Sequence, residues 1–160
     1  MTLASGTGTG TGTTRGEDVT PRRSVVARLP RALGHRWPTL LALALALATF
    51  VDGLPPAPLL AGLLVVMPVC YLLFGAFRRE LGRPRVLLLQ LAGLLGFAAV
   101  ALTALAVDAT LGYRLLAVGW LAHAAWDFVH HRTGKVVPRA WSEWCCVVDA
   151  SGALAMLLLA

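Results

Sequence analysis

With 160 residues, 58% hydrophobic and only 14% charged side chains, and a mean hydropathy of +0.73, the chain is too apolar for a soluble domain. Its net charge of +6 does not point to nucleic acid, because the basic residues sit at the ends of apolar runs, as membrane topology requires. Cys70, Cys145 and Cys146 match neither a disulfide framework nor a zinc knuckle, and they read as reduced packing residues.

Residues 1–36 hold "SGTGTGTGTT" and then Arg15, Arg22, Arg23, Arg28, Arg31 and Arg36, with little apolar periodicity. Such a stretch buries too little surface to offset its ordering entropy, so a disordered basic tail is expected. Within it, "RRSVV" resembles a twin-arginine export signal, with "ALA" at 46–48 as a cleavage site. Against that reading, the arginines continue past the pair, and more membrane follows rather than a soluble domain.

The transmembrane domain is expected over 37–160, with five apolar runs at about 37–53, 57–77, 85–107, 111–131 and 141–160. Each approaches the ~20 residues that carry a helix across ~30 Å of hydrocarbon. Proline, glycine and charge interrupt the runs at "DGLPPAP", "RRELGRPR", "DATLGYR" and "RTGKVVPR". In lipid each segment must satisfy its own backbone amides, so the expected fold class is all-α, an integral membrane bundle of five transmembrane helices. Pro68 is expected to kink the second helix.

With the N-terminus in the cytoplasm, thirteen of the fourteen Lys and Arg residues fall on the cytoplasmic side, and only Arg114 falls outside. Trp37, Trp141 and Trp144 then lie near the inner interface and Tyr113 near the outer one. The expected partner is the lipid bilayer, with no nucleic acid; the tail contacts anionic lipid, where each basic side chain near the surface adds about 1 kcal/mol. Arginine in place of lysine, with much alanine and glycine, suggests a G+C-rich bacterium, hence a multi-pass protein of the bacterial inner (plasma) membrane.

The stretch "HAAWDFVHH", His123 to His131, holds three of the four histidines and an aspartate. At 100° per residue Leu116, Trp120, His123, Asp127, His130 and His131 share a stripe of about 100° on the fourth helix. Asp127 stands one turn from each of the three histidines. The fifth helix runs antiparallel and adds Glu143, Cys145, Cys146 and Asp149. Counting ~1.5 Å per residue sets Asp127 and Glu143 at roughly 6–8 Å depth, and His123 and Asp149 at roughly 13–15 Å, with Gln90 of the third helix at a similar level. Ionisable groups at such depths cost about 2.5–3.5 kcal/mol each, so they require a packed polar site or a wet cavity.

Three functions fit this cluster. In the first, His123, Asp127, Asp149 and either His131 or Glu143 ligate zinc or iron in a metal-dependent membrane enzyme, with His123 and Asp127 as the catalytic pair. In the second, the same groups relay protons or hold a cation in a transport or binding module. In the third, His123 with Asp127, and Asp149 with Ser142 or a backbone amide, are structural pairs in a membrane subunit without a site. His130 and His131 also suit the headgroup layer beside Arg132, Asp52 and Asp108 suit solvated helix ends, Cys145 and Cys146 suit apolar filling, and Trp126 suits packing on a neighbouring helix.

"DFVHH" is similar to the H-x-x-H-H box of membrane fatty-acid hydroxylases and desaturases, but departs from it at Asp127. Those enzymes use about eight histidines, so their di-iron chemistry is not implied. The H-x-x-x-D spacing loosely resembles membrane hydrolases of the ceramidase type, whose seven spans do not match five. The segment Gly119 to Asp149 resembles a group of small bacterial membrane proteins of uncharacterised function that carry G-W-x-x-H-x-x-W-D-x-x-H-H. That resemblance implies a membrane protein and no particular mechanism.

Overall fold

The structure is a computed structural model that describes residue 2 and residues 36–160. The expected disordered tail and the twin-arginine pattern lie outside the described residues. Five α-helices follow among those described: α1 (Trp37–Phe50), α2 (Ala57–Phe77), α3 (Pro84–Ala106), α4 (Ala109–Thr133) and α5 (Arg139–Leu159), with a 3₁₀ turn at Glu80–Gly82. The "ALA" of 46–48 lies inside α1.

Each helix begins where the sequence chemistry allows. Proline occupies the first or second position of α1, α2 and α3, where its missing N–H leaves no bond unmade. Asp108 does more than sit in solvent, because its Oδ1 accepts from the Leu111 amide at 3.1 Å and caps α4. Gly134 ends α4 at φ 64°, returning its N–H to the His130 carbonyl at 2.8 Å. Val136 follows at φ 65°, a costly conformation for a β-branched residue. It is held by burial against α2 at Gly75.

α2, α3 and α5 are long and apolar enough to cross a membrane, and α1 is a shorter apolar helix of 14 residues. α4 is the longest at 25 residues but carries Arg114, His123, Asp127, His130, His131 and Arg132. Composition therefore marks three crossings where five were expected. The difference arises in α4, where buried His123, Asp127 and His130 face inward and Arg114 and Arg132 stand exposed near its ends, and in α1, whose ~21 Å rise is short of ~30 Å.

α4 is the centre of the bundle. It packs along α5, α3 and α2, while α1 lies mainly on α5. Its buried positions Gly112, Leu116, Gly119, Trp120, His123, Asp127 and His130 recur every three or four residues and form one inward face. Val118, Leu121, Phe128 and Val129 form the opposite face and are exposed, as are Leu95 and Leu102 of α3. An outer surface this apolar suits lipid, not water. Trp120 Nε1 donates to the Leu60 carbonyl of α2 at 3.2 Å, and Tyr113 donates to the Pro55 carbonyl at 3.0 Å. At the other end Arg78 donates to the Gly134 carbonyl at 3.2 Å, so the two arginine-rich loops meet there.

Candidate functional site

A buried group of His123, Asp127 and Asp149 sits between α4 and α5, and all three side chains are 0% exposed. His123 and Asp127 are one turn apart on the inner face of α4, and Asp149 comes from the antiparallel α5. His123 Nδ1 lies 2.7 Å from Asp149 Oδ2 and 3.4 Å from Asp127 Oδ2. Because carboxylates only accept, Nδ1 carries the proton in this arrangement and donates to Asp149. Each of the three residues offers one ligand atom, and these atoms all lie within 4.8 Å of one another.

The surrounding helices shape the group. Tyr71 of α2 is fully buried and donates its hydroxyl hydrogen to Asp127 Oδ1. Its ring meets His123 edge-on at 5.6 Å between centroids and His130 at 5.0 Å. Phe97 of α3 approaches His123 at 4.9 Å. The imidazole is thus walled by aromatic rings and closed off from the surface. Three polar atoms of the group are nevertheless buried without any hydrogen-bond partner: His123 Nε2, Asp127 Oδ2 and Asp149 Oδ1. Burial of an unpartnered polar atom costs about 1–3 kcal/mol, and more for a charged one.

The other candidates lie apart. His131 is half-buried in the last turn of α4, where its Nδ1 donates to the Arg139 carbonyl at 3.1 Å, away from the triad. Glu143 does not pair with the Asp127 level as the depth count implied, and instead accepts from Thr39 of α1 at 2.6 Å. The reason is rotation: six residues from Glu143 to Asp149 turn the helix by about 240°, so only one of the two can face α4. Ser142 does not serve Asp149 either, since its hydroxyl donates back to the Arg139 carbonyl at 3.1 Å.

Gln90 belongs to a second arrangement. His130 Nδ1 donates to the Trp126 carbonyl at 2.9 Å, so its Nε2 is bare and accepts the Gln90 amide hydrogen at 2.9 Å. That network fixes the tautomer and uses both ring nitrogens, leaving His130 no lone pair for a metal. His130 is buried inside the bundle, and its ring braces Tyr71. Trp126 packs on α3, against Gly93 and Phe97. Cys145 is a buried free thiol.

Tyr71 is the one contributor the sequence reading missed. α2 is apolar all round, so no periodicity singled out the face that turns inward. A lone hydroxyl in an otherwise apolar span was the available signal, since a buried phenol nearly always needs a partner.

Residues 85–160 match a family of unknown function, DUF6010. The match runs through nearly all of α3 and all of α4 and α5, so it contains His123, Asp127, Asp149, Gln90 and His130, while Tyr71 and α1 lie outside it. The Gly119 to Asp149 segment falls within it. No curated protein and no solved structure matches the chain.

Proposed function

We propose that this is a bacterial inner-membrane protein of five crossings, N-terminus inside, whose His123, Asp127 and Asp149 bind a divalent transition metal as a metal-dependent membrane enzyme. The observation that carries the reading is the imbalance of the buried group. Two carboxylates face one imidazole in a wall of aromatic and aliphatic side chains, and each of the three residues keeps an unpartnered polar atom. A protonated imidazole leaves one negative charge over, whereas a divalent ion with neutral His123 brings the sum to zero.

The donor set, one nitrogen and two carboxylate oxygens, suits zinc or iron(II). Ligands bonded at about 2.0–2.1 Å around a tetrahedral ion stand about 3.3 Å apart, so small side-chain rotations draw a group already within 4.8 Å onto a metal. Three protein ligands leave a coordination position open, as in catalytic zinc sites, and a metal there supplies an activated water. Tyr71 then orients Asp127 from behind, as outer hydrogen-bond partners of metal ligands do.

The test is metal analysis of the purified chain after loading with zinc or iron(II). About one equivalent per chain is expected, lost in Asp149→Asn and His123→Ala at unchanged helix content, and released on acidification because protons compete for the ligands. A wild-type chain that takes up no metal, yet stays folded, overturns the reading. That outcome favours proton handling, for which the continuous run Tyr71, Asp127, His123 and Asp149 speaks.

A further inference from the structure

A cavity of about 370 Å³ lies between α1, α2, α4 and α5, within the size range of ligand sites. Its wall is apolar, with Ala46 from α1, Met67 from α2 and Trp120 from α4. α1 packs along α5, and α2 along α3 and α4, but α1 and α2 share no extensive contact and stand apart on either side of the cavity. Leu45, Leu63 and Val66 belong both to the cavity and to the exposed apolar surface, so it communicates with the outside of the bundle. In a bilayer that outside is hydrocarbon, and the solute present there in quantity is the chain of a lipid.

One carboxylate interrupts this wall. Asp149 belongs to the inner wall of the cavity with its side chain fully buried there, gives its Oδ2 to His123, and keeps an Oδ1 that no group among the described residues satisfies. The geometry points to a binding site for the apolar chain of an uncharged lipid, with the chain between α1 and α2 and its polar group beside Asp149. This rests on the metal reading above and names the substrate class of that site. Two carboxylates balance a divalent ion, so a hydroxyl, ester or amide beside them keeps the site neutral. An anionic head would bring an uncompensated charge into hydrocarbon.

Trp120, Trp141 and Trp144 all line the cavity, which makes their fluorescence the natural readout. Zinc-loaded chain in detergent is titrated with dibrominated octadecanol, whose bromines quench indole emission on contact. Quenching is expected to saturate near about one equivalent per chain and to be reversed by plain octadecanol, with dibrominated stearic acid at least about tenfold weaker. Ala46→Phe places a ring in the cavity and should weaken the alcohol at least about fivefold, with zinc content unchanged. Leu88→Phe, on the exposed face of α3, should alter neither. Where Ala46→Phe fails to keep wild-type helix content, Met67→Phe fills the cavity from the opposite wall. Quenching that only follows the lipid fraction of the micelle, or that persists in the filled variants, overturns the site. Tighter binding of the acid overturns the uncharged head. Zinc bound without saturable quenching sinks this inference alone, and saturable quenching without zinc sinks the metal reading alone.

Discussion

Tyr71 is the only hydroxyl that α2 possesses, and it is spent on Asp127. Phenylalanine fills nearly the same volume, so Tyr71→Phe isolates the bond: Asp127 Oδ1 loses its donor while the rings of His123 and His130 keep their neighbour. Leaving a buried carboxylate oxygen unpartnered should cost about 1–3 kcal/mol. If Asp127 ligates a metal, loss of its orienting bond should also weaken zinc by about 10–100-fold, measured by competition with a chelator. An unfolding midpoint and a zinc affinity both indistinguishable from wild type would show that the phenol is incidental. Gln90 acts one step further back, through His130 and the Tyr71 ring. Gln90→Leu should therefore lower stability, by about 1–3 kcal/mol for the unpartnered His130 Nε2, and leave zinc affinity within about threefold. A collapse of zinc binding in that variant would mean that His130, not Tyr71, governs the site.

At the level of helices, what the sequence made legible and what it hid have separate physical causes. Hydropathy located the five helices to within a few residues, because backbone in lipid must close its own hydrogen bonds and the runs end at Pro, Gly or charge. The pairing of His123 with Asp149 was readable from rise per residue in an antiparallel hairpin. Rotation was not read in the same way: α2 is apolar on every side, so no periodicity told Tyr71 which way to face, and in α5 the depth count set the level of Glu143 but not its angle about the axis. Close packing sets those angles, and glycine decides how close. A Cβ on Gly152 would lie 2.7 Å from the Trp120 ring, and one on Gly119 would lie 2.7 Å from Leu64. Gly152→Ala must push α5 from α4 or turn Trp120 off its bond to Leu60, at a cost of about 1–3 kcal/mol. Gly96 of α3 has nothing within 4 Å of such a Cβ. Gly96→Ala should be neutral or stabilise by up to about 1 kcal/mol. Unfolding of the two variants in parallel checks the contrast, and equal effects would refute the packing assignment.

For the molecule as a whole, topology turns on α4. Asp127 makes this helix costly to insert, at about 2.5–3.5 kcal/mol for a charge near the bilayer centre, and the buried stripe that holds it is served by Tyr71, Asp149 and Gln90 only after the neighbours are in place. Its insertion should therefore depend on its partners: α4 alone in an insertion reporter should cross far less often than α2 alone. In the full chain two arrangements differ in one observable. If α4 crosses, the loops at 78–83 and 134–138 share a side. If α4 lies on the surface while α2, α3 and α5 cross, those loops fall on opposite sides, with Arg78, Arg79 and Arg83 facing one compartment and Lys135 the other. The Arg78 bond to the Gly134 carbonyl and the positive-inside rule both favour a shared side. Single cysteines at Leu81, Gly134, Leu54 and Thr110, in a chain with its three native cysteines changed to serine or alanine, decide the matter with a membrane-impermeant maleimide on intact cells. Positions 54 and 110 should label from outside, and 81 and 134 only after lysis. Labelling of 81 and 134 from different sides would take α4 out of the membrane, and with it the hydrocarbon surroundings from which the metal and lipid proposals draw their charge arguments.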